Sequence, residues 1–449
     1  MIELIKSYAR RLCAASLTTA GDGSHSLAPT GGDRSLCRRH VTGEDGLQYP
    51  TPTASSSSSS SFRYDTPASR SIISASGSER PANEGDIKYW VRTSSRTSQY
   101  LASKTAVPLP AGITGLENLG NTCYMNAVLQ VLAQTQDLVN YTASEFLYED
   151  LNRRSVNQGQ IATEIAQLLG VVWSRKFRYV SPHRFRSAVG ARHRDFGGMR
   201  MHDAHEFIIL LLEWLHDDLN IAAAGGGPAL RPPTEDLPDL QAGEAAWRRF
   251  RRANDSIVTR LFHGLQKSTL ICTACGFESA TFETFSLLSL PLAVPPVGKG
   301  SLYHCLDQYV RGDLITDWSC PKCRRRHDVY KKLDLWRLPP VIILHLKRFS
   351  FAGTTARKAH AQVSFPLRDL DLSQLAIGPH PDTHSLVYDL YGVVEHHGSQ
   401  HSGHYTAFCF NQPAASWFFI DDTVVKESSA ASVKDATAYM LCYSAREVV

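Results

Sequence analysis

Apolar positions are unevenly spread along the 449-residue chain. From residue 1 to about 110 they are sparse and rarely periodic, and a run of serines (Ser55 to Ser61) with scattered Gly, Pro and Thr takes their place. Such a stretch cannot bury enough surface to offset chain entropy, so residues 1–110 are expected to form a disordered, low-complexity extension. One local exception is Ile2, Leu4, Ile5, Tyr8 and Leu12, at roughly helical spacing beside Lys6, Arg10 and Arg11. It fits a frayed tail or a short amphipathic helix for a membrane surface or presequence. Glu3 and the short length favour the tail.

Periodicity begins near Ile113. A helix is expected from Cys123 to about Thr135, a second around Ile161 to Trp173, and a third from Ala204 to Leu219. The third holds Phe207-Ile208-Ile209-Leu210-Leu211-Leu212, then Trp214 and Leu215, so it should be packed on most of its faces. From Ile221 to about Ala246 the composition shifts to Ala, Gly, Pro and acids, as in a surface insertion. After Ile257 the pattern turns to strands. Leu261 to Ile271 alternates, Thr281 to Leu290 is strand-like, and Val341-Ile342-Ile343-Leu344-His345-Leu346 reads as a buried strand. Leu386 to Val394, Tyr405 to Phe410, Trp417 to Ile420 and Ala438 to Tyr443 would complete an antiparallel sheet. Helices first and strands later predict an α+β fold over residues 111–449.

Composition narrows the function classes. A net charge of +4 gives no argument for nucleic acid or a membrane surface. No stretch approaches the ~20 apolar residues of a membrane span, and no apolar core follows the start as a secretory signal requires. Ten cysteines in so long a chain do not suggest a disulfide scaffold, but some form close pairs. In a reducing compartment such pairs point to metal or catalysis.

Three clusters carry candidate chemistry. The first is Gly115-Leu116-Glu117-Asn118-Leu119-Gly120-Asn121-Thr122-Cys123-Tyr124-Met125-Asn126, a turn-rich segment running into a helix. It puts the Cys123 thiol near a helix start, where free N–H groups and the dipole favour a thiolate. Asn118 is placed to donate to an oxyanion together with the Cys123 N–H. Taken alone, the stretch fits a buried core cysteine equally well.

The second cluster is Cys272-Thr273-Ala274-Cys275-Gly276 with Cys320-Pro321-Lys322-Cys323. Each pair can offer two thiolates from a tight turn, and the two together complete a closed tetrahedral shell for one structural Zn2+. Arg324-Arg325-Arg326 follows the second pair, yet neither pair sits in a basic, aromatic-rich patch, so nucleic acid is not expected.

The third cluster is the loop His396-His397-Gly398-Ser399-Gln400-His401-Ser402-Gly403-His404, which enters a strand at Tyr405. His404 at the junction suits a general base. Trp417-Phe418-Phe419-Ile420-Asp421-Asp422 ends the next strand in two acids. Asp421 could orient His404, and Asp422 could assist near the oxyanion or cap the turn. A solvated or metal-binding His tract and a plain Asp-Asp turn are the competing readings. The order Cys, His, Asp favours a papain-like nucleophile, base and orienter.

With these residues the chain resembles the ubiquitin-specific protease family of cysteine deubiquitinases, from Gly112 to about Arg446. The Cys123 segment resembles its Cys box, and Gly403-His404-Tyr405-Thr406-Ala407 with Trp417 to Asp422 its His box. The two Cys pairs resemble the zinc ribbon of its fingers. Asp203-Ala204-His205-Glu206-Phe207, Leu344-His345-Leu346-Lys347-Arg348-Phe349 and Ala438-Tyr439-Met440-Leu441-Cys442-Tyr443 match further segments. The resemblance implies a papain-like thumb, palm and fingers, with the fingers inserted at about 258–350. It implies Cys123 as nucleophile, His404 as base, Asp421 as orienter and Asn118 as oxyanion donor. Asp203 and Glu206 would meet an Arg-bearing ubiquitin tail, and Gly403 and Tyr405 would contact substrate in the tail channel. The implied activity is that of a thiol-dependent ubiquitinyl hydrolase on ubiquitin and ubiquitinated proteins, as a monomeric catalytic domain in cytoplasm or nucleus. Met201-His202-Asp203-Ala204-His205-Glu206 departs from a segment where the family often carries Gln, which bears on affinity and pH response. Rival readings are the same fold acting on a ubiquitin-like modifier, a non-catalytic ubiquitin-binding scaffold, and a general papain-like protease with a zinc module.

Overall fold

The helix that begins at Cys123 is buried along its whole length, and the rest of the fold is layered around it. The structure is a computed structural model and describes residues 109–222, 237–293, 299–352, 355–379, 385–399 and 402–446. The expectations for the N-terminal extension, including the pattern from Ile2 to Leu12, lie outside the described residues, apart from 109 and 110.

The helical layer comprises α1 (Cys123–Leu132), α2 (Gln160–Trp173), α3 (His183–Arg192), α4 (Arg194–Gly197) and α5 (Ala204–Leu219). The third expected helix has the bounds read from the sequence. The first stops at Leu132, short of Thr135. There Gln134 N bonds Val131 O and Thr135 N bonds Leu132 O, which tightens the turn before a new helix at Gln136–Thr142. Gln134 Nε2 reaches Gly112 O at 2.8 Å and the Thr135 hydroxyl meets Tyr391 OH at 2.9 Å, so tertiary bonds hold this bend.

The expected insertion at 221–246 is partly a helix. Residues 223–236 lie outside the described residues, but α6 (Asp239–Ala253) follows Pro238, with Ala242 and Gly243 buried. A Cβ on Gly243 would stand 2.5 Å from Trp336 Nε1, so this helix lies close on the strand that carries Trp336. The expected alternation from Leu261 is also corrected. Ile257–Phe262 is a short helix capped by Ser256 Oγ on Thr259 N.

The strands form two principal sheets. In chain order they are β1 (Gly264–Cys272), β2 (Glu278–Phe285), β3 (Leu288–Leu290), β4 (Asp313–Cys320), β5 (Arg325–Arg337), β6 (Val341–Leu346), β7 (Val387–Gly398), β8 (Gly403–Asn411), β9 (Ser416–Asp421), β10 (Val424–Ser428) and β11 (Ala438–Ala445). One sheet runs β10-β9-β8-β7-β11-β6-β3, with Leu370–Asp371 also paired to β7. It is antiparallel except at its end, where β3 pairs with β6 in parallel. The smaller sheet runs β2-β1-β5-β4.

Period-2 alternation divides the large sheet's side chains between two cores. Val341, Ile343, Val394, Ala407, Cys409, Met440 and Cys442 face the helical layer. Ile342, Leu344, Val393, Phe408, Leu441 and Tyr443 face the opposite core, with Leu302 and Leu306 of the Leu302–Arg311 helix. α1 lies tight against the sheet at Gly392, where a Cβ would stand 2.5 Å from Val131 Cγ1. Helices gathered mainly on one face of a largely antiparallel sheet, with a second, smaller sheet beside it, give the expected α+β class.

Candidate active site

Two chain segments of opposite hand meet at the start of α1. The loop into it turns through consecutive left-handed residues, Gly120 at φ 96° and Asn121 at φ 55°. Asn118 Oδ1 accepts from Gly120 N at 3.0 Å and Thr122 N at 3.1 Å, and Thr122 Oγ1 accepts from Leu119 N at 2.8 Å. The side chains of the turn thus bond its own backbone, the ordinary device of Asn and Thr in turns. Cys123 is the first residue of α1 and only 2% exposed. Burial pushes its thiol above the ordinary value. The Tyr405 N–H pulls it down, the Asp422 carboxylate adds to the rise, and the N–H groups of Tyr124 and Cys123 itself oppose it. The helix start was expected to favour a thiolate, but in the free chain burial outweighs those donors.

His404 lies at the start of β8 and Asp421 at the end of the adjacent β9. His404 Nε2 is 2.6 Å from Asp421 Oδ1. That leaves Nδ1 as the ring nitrogen available for a thiol. Asp422 turns away from its neighbour because its φ is 49°. Its Oδ2 accepts from Asn118 Nδ2 at 2.9 Å and its Oδ1 from Asn126 Nδ2 at 2.7 Å, while its carbonyl accepts from Leu116 N at 2.9 Å. The two acids therefore divide the work: one meets the imidazole, the other ties the Cys loop and α1 to β9. Asn118 keeps one amide hydrogen for another acceptor.

Asp203 caps α5 by accepting from His205 N at 2.7 Å, and Tyr439 OH donates to its two oxygens at 2.7 and 2.6 Å. Glu206 is exposed in the first turn. Tyr405 is buried, and its hydroxyl accepts from Ala204 N at 3.4 Å, so its ring links β8 to the start of α5. Gly403 must be small, since a Cβ there would stand 2.2 Å from His396 Nε2. His205 stacks on His345 at 3.8 Å, and Ser289 Oγ lies 2.9 Å from a nitrogen of each ring. Burial pushes His345 down to about 2 and also lowers His205, against the pull of Asp203. This pair is held neutral, so His205 supplies no charge to the start of α5 near neutral pH. The site thus gathers Cys123, Asn118, His404, Asp421 and Asp422 at one seam, with Asp203 and Tyr405 tied together at the adjoining start of α5.

At the far end of the small sheet, Cys272 and Cys275 occupy the β1–β2 turn and Cys320 and Cys323 the β4–β5 turn. All four sulfurs lie within 4.8 Å of one another. Each turn closes through a left-handed residue, Gly276 (φ 68°) bonding Cys272 O and Arg324 (φ 55°) bonding Cys320 O. Cys275 Sγ and Cys320 Sγ are 3.8 Å apart, far too long for a disulfide and equal to the edge of a tetrahedron with metal–sulfur bonds of about 2.3 Å. N–H groups at Cys275 and Ala274 draw Cys272 down to about 7, while shared protons, first with Cys275, push Cys323 up to about 12. The four-sulfur donor set fits a soft tetrahedral cation.

Residues 114–443 match the family described as ubiquitin carboxyl-terminal hydrolase. The chain belongs to that family. Ubiquitin carboxyl-terminal hydrolase 2 of Rattus norvegicus is 36% identical over 366 residues, covering 80% of this chain and 58% of the rat protein. Ubiquitin carboxyl-terminal hydrolase 21 of Homo sapiens is 34% identical over 392 residues, covering 81% of this chain and 67% of the human protein. The alignment with the rat relative thus spans little more than half of that protein's length. Among solved structures, a chain of the SAGA Ubp8/Sgf11/Sus1/Sgf73 DUB module bound to ubiquitin aldehyde superposes with a TM-score of 0.59 at 24% identity, over 81% of this chain and 75% of that one. This last likeness concerns the fold. Among the described residues no helix is long and apolar enough to cross a membrane.

Asn126, Thr122 and Arg186 also belong to the site, with bonds to Asp422, Leu119 N and Leu119 O, roles that the sequence did not assign to them. Asn126 carried a usable signal, since three residues beyond Cys123 it lies on the same helix face. Arg186 carried none, because its bond to Leu119 O at 2.8 Å spans two separate segments.

Proposed function

We propose that the chain is a thiol-dependent ubiquitinyl hydrolase, cleaving the peptide or isopeptide bond after the C-terminal glycine of ubiquitin. The observation that carries this reading is the 2.6 Å contact from His404 Nε2 to Asp421 Oδ1 at the seam where Cys123 begins α1. With Nε2–H committed to Asp421, the free Nδ1 takes the proton of Cys123 Sγ as sulfur attacks the glycine carbonyl. The oxyanion of the tetrahedral intermediate accepts from the Cys123 N–H and the second amide hydrogen of Asn118. On collapse His404 returns the proton to the leaving amine, and a thioester remains on Cys123. Water, deprotonated by His404, attacks this acyl-enzyme and releases free ubiquitin and the thiol. Because burial raises the thiol, the thiolate arises by transfer to His404 during attack rather than standing ready beforehand.

Asp203 and Glu206 at the start of α5 meet the arginines of the ubiquitin tail, and Gly403 and Tyr405 border its channel. Cys272, Cys275, Cys320 and Cys323 hold one structural Zn2+, which when bound fixes the two turns at the tip of the fingers. The catalytic domain occupies 111–449 as a monomer, with its fingers at about 258–350, and residues 1–110 are an extension. All eight described cysteines are free, in keeping with a reducing cytoplasm or nucleus.

The test is labelling by ubiquitin with an electrophilic C-terminus, on wild type and Cys123→Ala, beside probes built on other modifiers. The expected result is an adduct with ubiquitin that is absent from the variant. Labelling only by another modifier would replace the substrate, and no labelling at all would overturn the hydrolase reading.

A further inference from the structure

Arg186 is carried by α3, yet its guanidinium ends on the loop that precedes Cys123. Nη1 donates to Leu119 O at 2.8 Å. Nη2 donates to Gly198 O at 2.8 Å and Gly197 O at 3.4 Å, with Met199 Sδ at 3.5 Å. The fork of a guanidinium is planar and fixed, so two carbonyls far apart in sequence are held in one register. A second tie runs beside it, from Asn121 Nδ2 to Met199 O at 2.8 Å.

The loop has reason to need these ties. Asn121 sits in the left-handed region that favours glycine. A cleft of about 490 Å³ lined by Leu119, His183, Arg186 and Ser187 opens beside it, so packing does not brace that side. The support behind Arg186 is firm. α3 meets α4 through Gly190 and Gly197, where a Cβ on Gly190 would stand 2.8 Å from Gly197 Cα. These bonds go to carbonyl oxygens rather than to a carboxylate, so they set backbone geometry.

We propose that Arg186 is a positioning residue for acyl transfer. Through the Leu119 and Gly198 carbonyls it fixes the loop from Asn118 to Cys123, so that Asn118 Nδ2 and the Cys123 N–H aim at the developing oxyanion. This rests on the ubiquitinyl hydrolase reading above. Removing the fork loosens oxyanion donors while leaving the thiol and the ubiquitin-gripping surfaces in place. Two reactions of Cys123 separate these effects. Hydrolysis of ubiquitin passes through an oxyanion. Alkylation by chloroacetamide does not: sulfur bonds the methylene carbon, the carbon–chlorine bond breaks, and chloride leaves.

The full chain is compared as wild type, Arg186→Ala and Arg186→Lys, with ubiquitin bearing a C-terminal aminocoumarin amide and with chloroacetamide. For Arg186→Ala, kcat on the ubiquitin amide should fall about 100-fold, the scale for a displaced or lost oxyanion donor. KM and the alkylation rate should stay within about twofold, because substrate binding and thiol are untouched. Arg186→Lys keeps the charge without the fork and should recover part of the loss. If Arg186→Ala fails to fold, the same selective loss in Arg186→Lys carries the test. Unchanged hydrolysis with an active wild type overturns this inference alone, as does a parallel fall of hydrolysis and alkylation. An inactive wild type overturns the hydrolase reading and this inference with it.

Discussion

Asn126 Nδ2 donates to Asp422 Oδ1 at 2.7 Å, joining the first turn of the Cys123 helix to the end of the strand that carries Asp421. The same carboxylate accepts from Asn118 Nδ2 at 2.9 Å. One acid thereby fixes the thiol-bearing helix, the proposed oxyanion donor and the strand of the proposed orienter relative to one another. Removing it should harm the chemistry without touching the imidazole. Asp422→Ala is expected to lower kcat on a ubiquitin amide about 100-fold, and because the Asp422 charge adds to the raised thiol, ionisation of Cys123 should move to lower pH. A variant with wild-type kcat would show that the tie is dispensable.

Asp421 has the other proposed role, orienting His404. Its oxygen lies 2.6 Å from His404 Nε2, and an amide in its place can hold the wrong tautomer. Asp421→Asn should lower kcat by roughly 10²–10⁴ and should also alter the pH profile, because the base itself is affected. An unchanged rate would move the orienting role to Asp422.

The Cys123 thiol gives a pH prediction. Burial raises it above the ordinary thiol value, with Asp422 adding to the rise and the Tyr405 N–H opposing it. A raised acid is less ionised at any given pH, so the thiolate fraction grows only as pH climbs through and beyond the ordinary thiol range. The rate of alkylation by iodoacetamide should therefore keep rising there, with a midpoint above that of an exposed cysteine. A plateau already reached at neutral pH would mean a preformed thiolate.

How much of this was legible beforehand varies with the kind of signal. The Ala204–Leu219 helix and the Val341–Leu346 strand were plain, because dense apolar runs of those lengths have few alternatives. Cys123, His404 and Asp421 stood out as candidates from local turn and strand ends and from the family pattern, and the structure places Cys123 at a helix start and His404 beside Asp421. The strands Asp313–Cys320 and Arg325–Arg337 did not stand out. Asp313–Cys320 is exposed at most positions and the first half of Arg325–Arg337 is largely exposed, so no alternation marks them. The helix at Asp239–Ala253 was hidden at the end of a segment read as an insertion of Ala, Gly, Pro and acids, although its small Gly243 is what lets it lie against Trp336. The Asp422 bonds to Asn118 and Asn126 join segments some 300 residues apart, a distance over which local pattern carries no information.

The four-cysteine cluster predicts metal content and stability together. Purified protein should hold about one zinc per chain, and Cys320→Ser should lower that content and reduce Tm by on the order of 5 °C. Wild-type protein without metal, melting at the same temperature after treatment with a chelator, would remove the site from the account.

Gly392 tests the packing beneath the site. A Cβ there would come within 2.5 Å of Val131 Cγ1, pressing α1 away from β7. Gly392→Ala should cost about 1–3 kcal/mol by denaturant unfolding, and Val131→Ala in the same chain should return part of it. Strict additivity of the two changes would contradict the contact.

Cys123 is the proposed nucleophile of ubiquitin hydrolysis. Its most direct test is turnover of ubiquitin carrying a C-terminal aminocoumarin by wild type and Cys123→Ala, with calorimetric binding of free ubiquitin to both. The account predicts turnover by the wild type, none by the variant, and equal binding. Continued cleavage by Cys123→Ala, or a wild type that binds ubiquitin and never releases the coumarin, would contradict it.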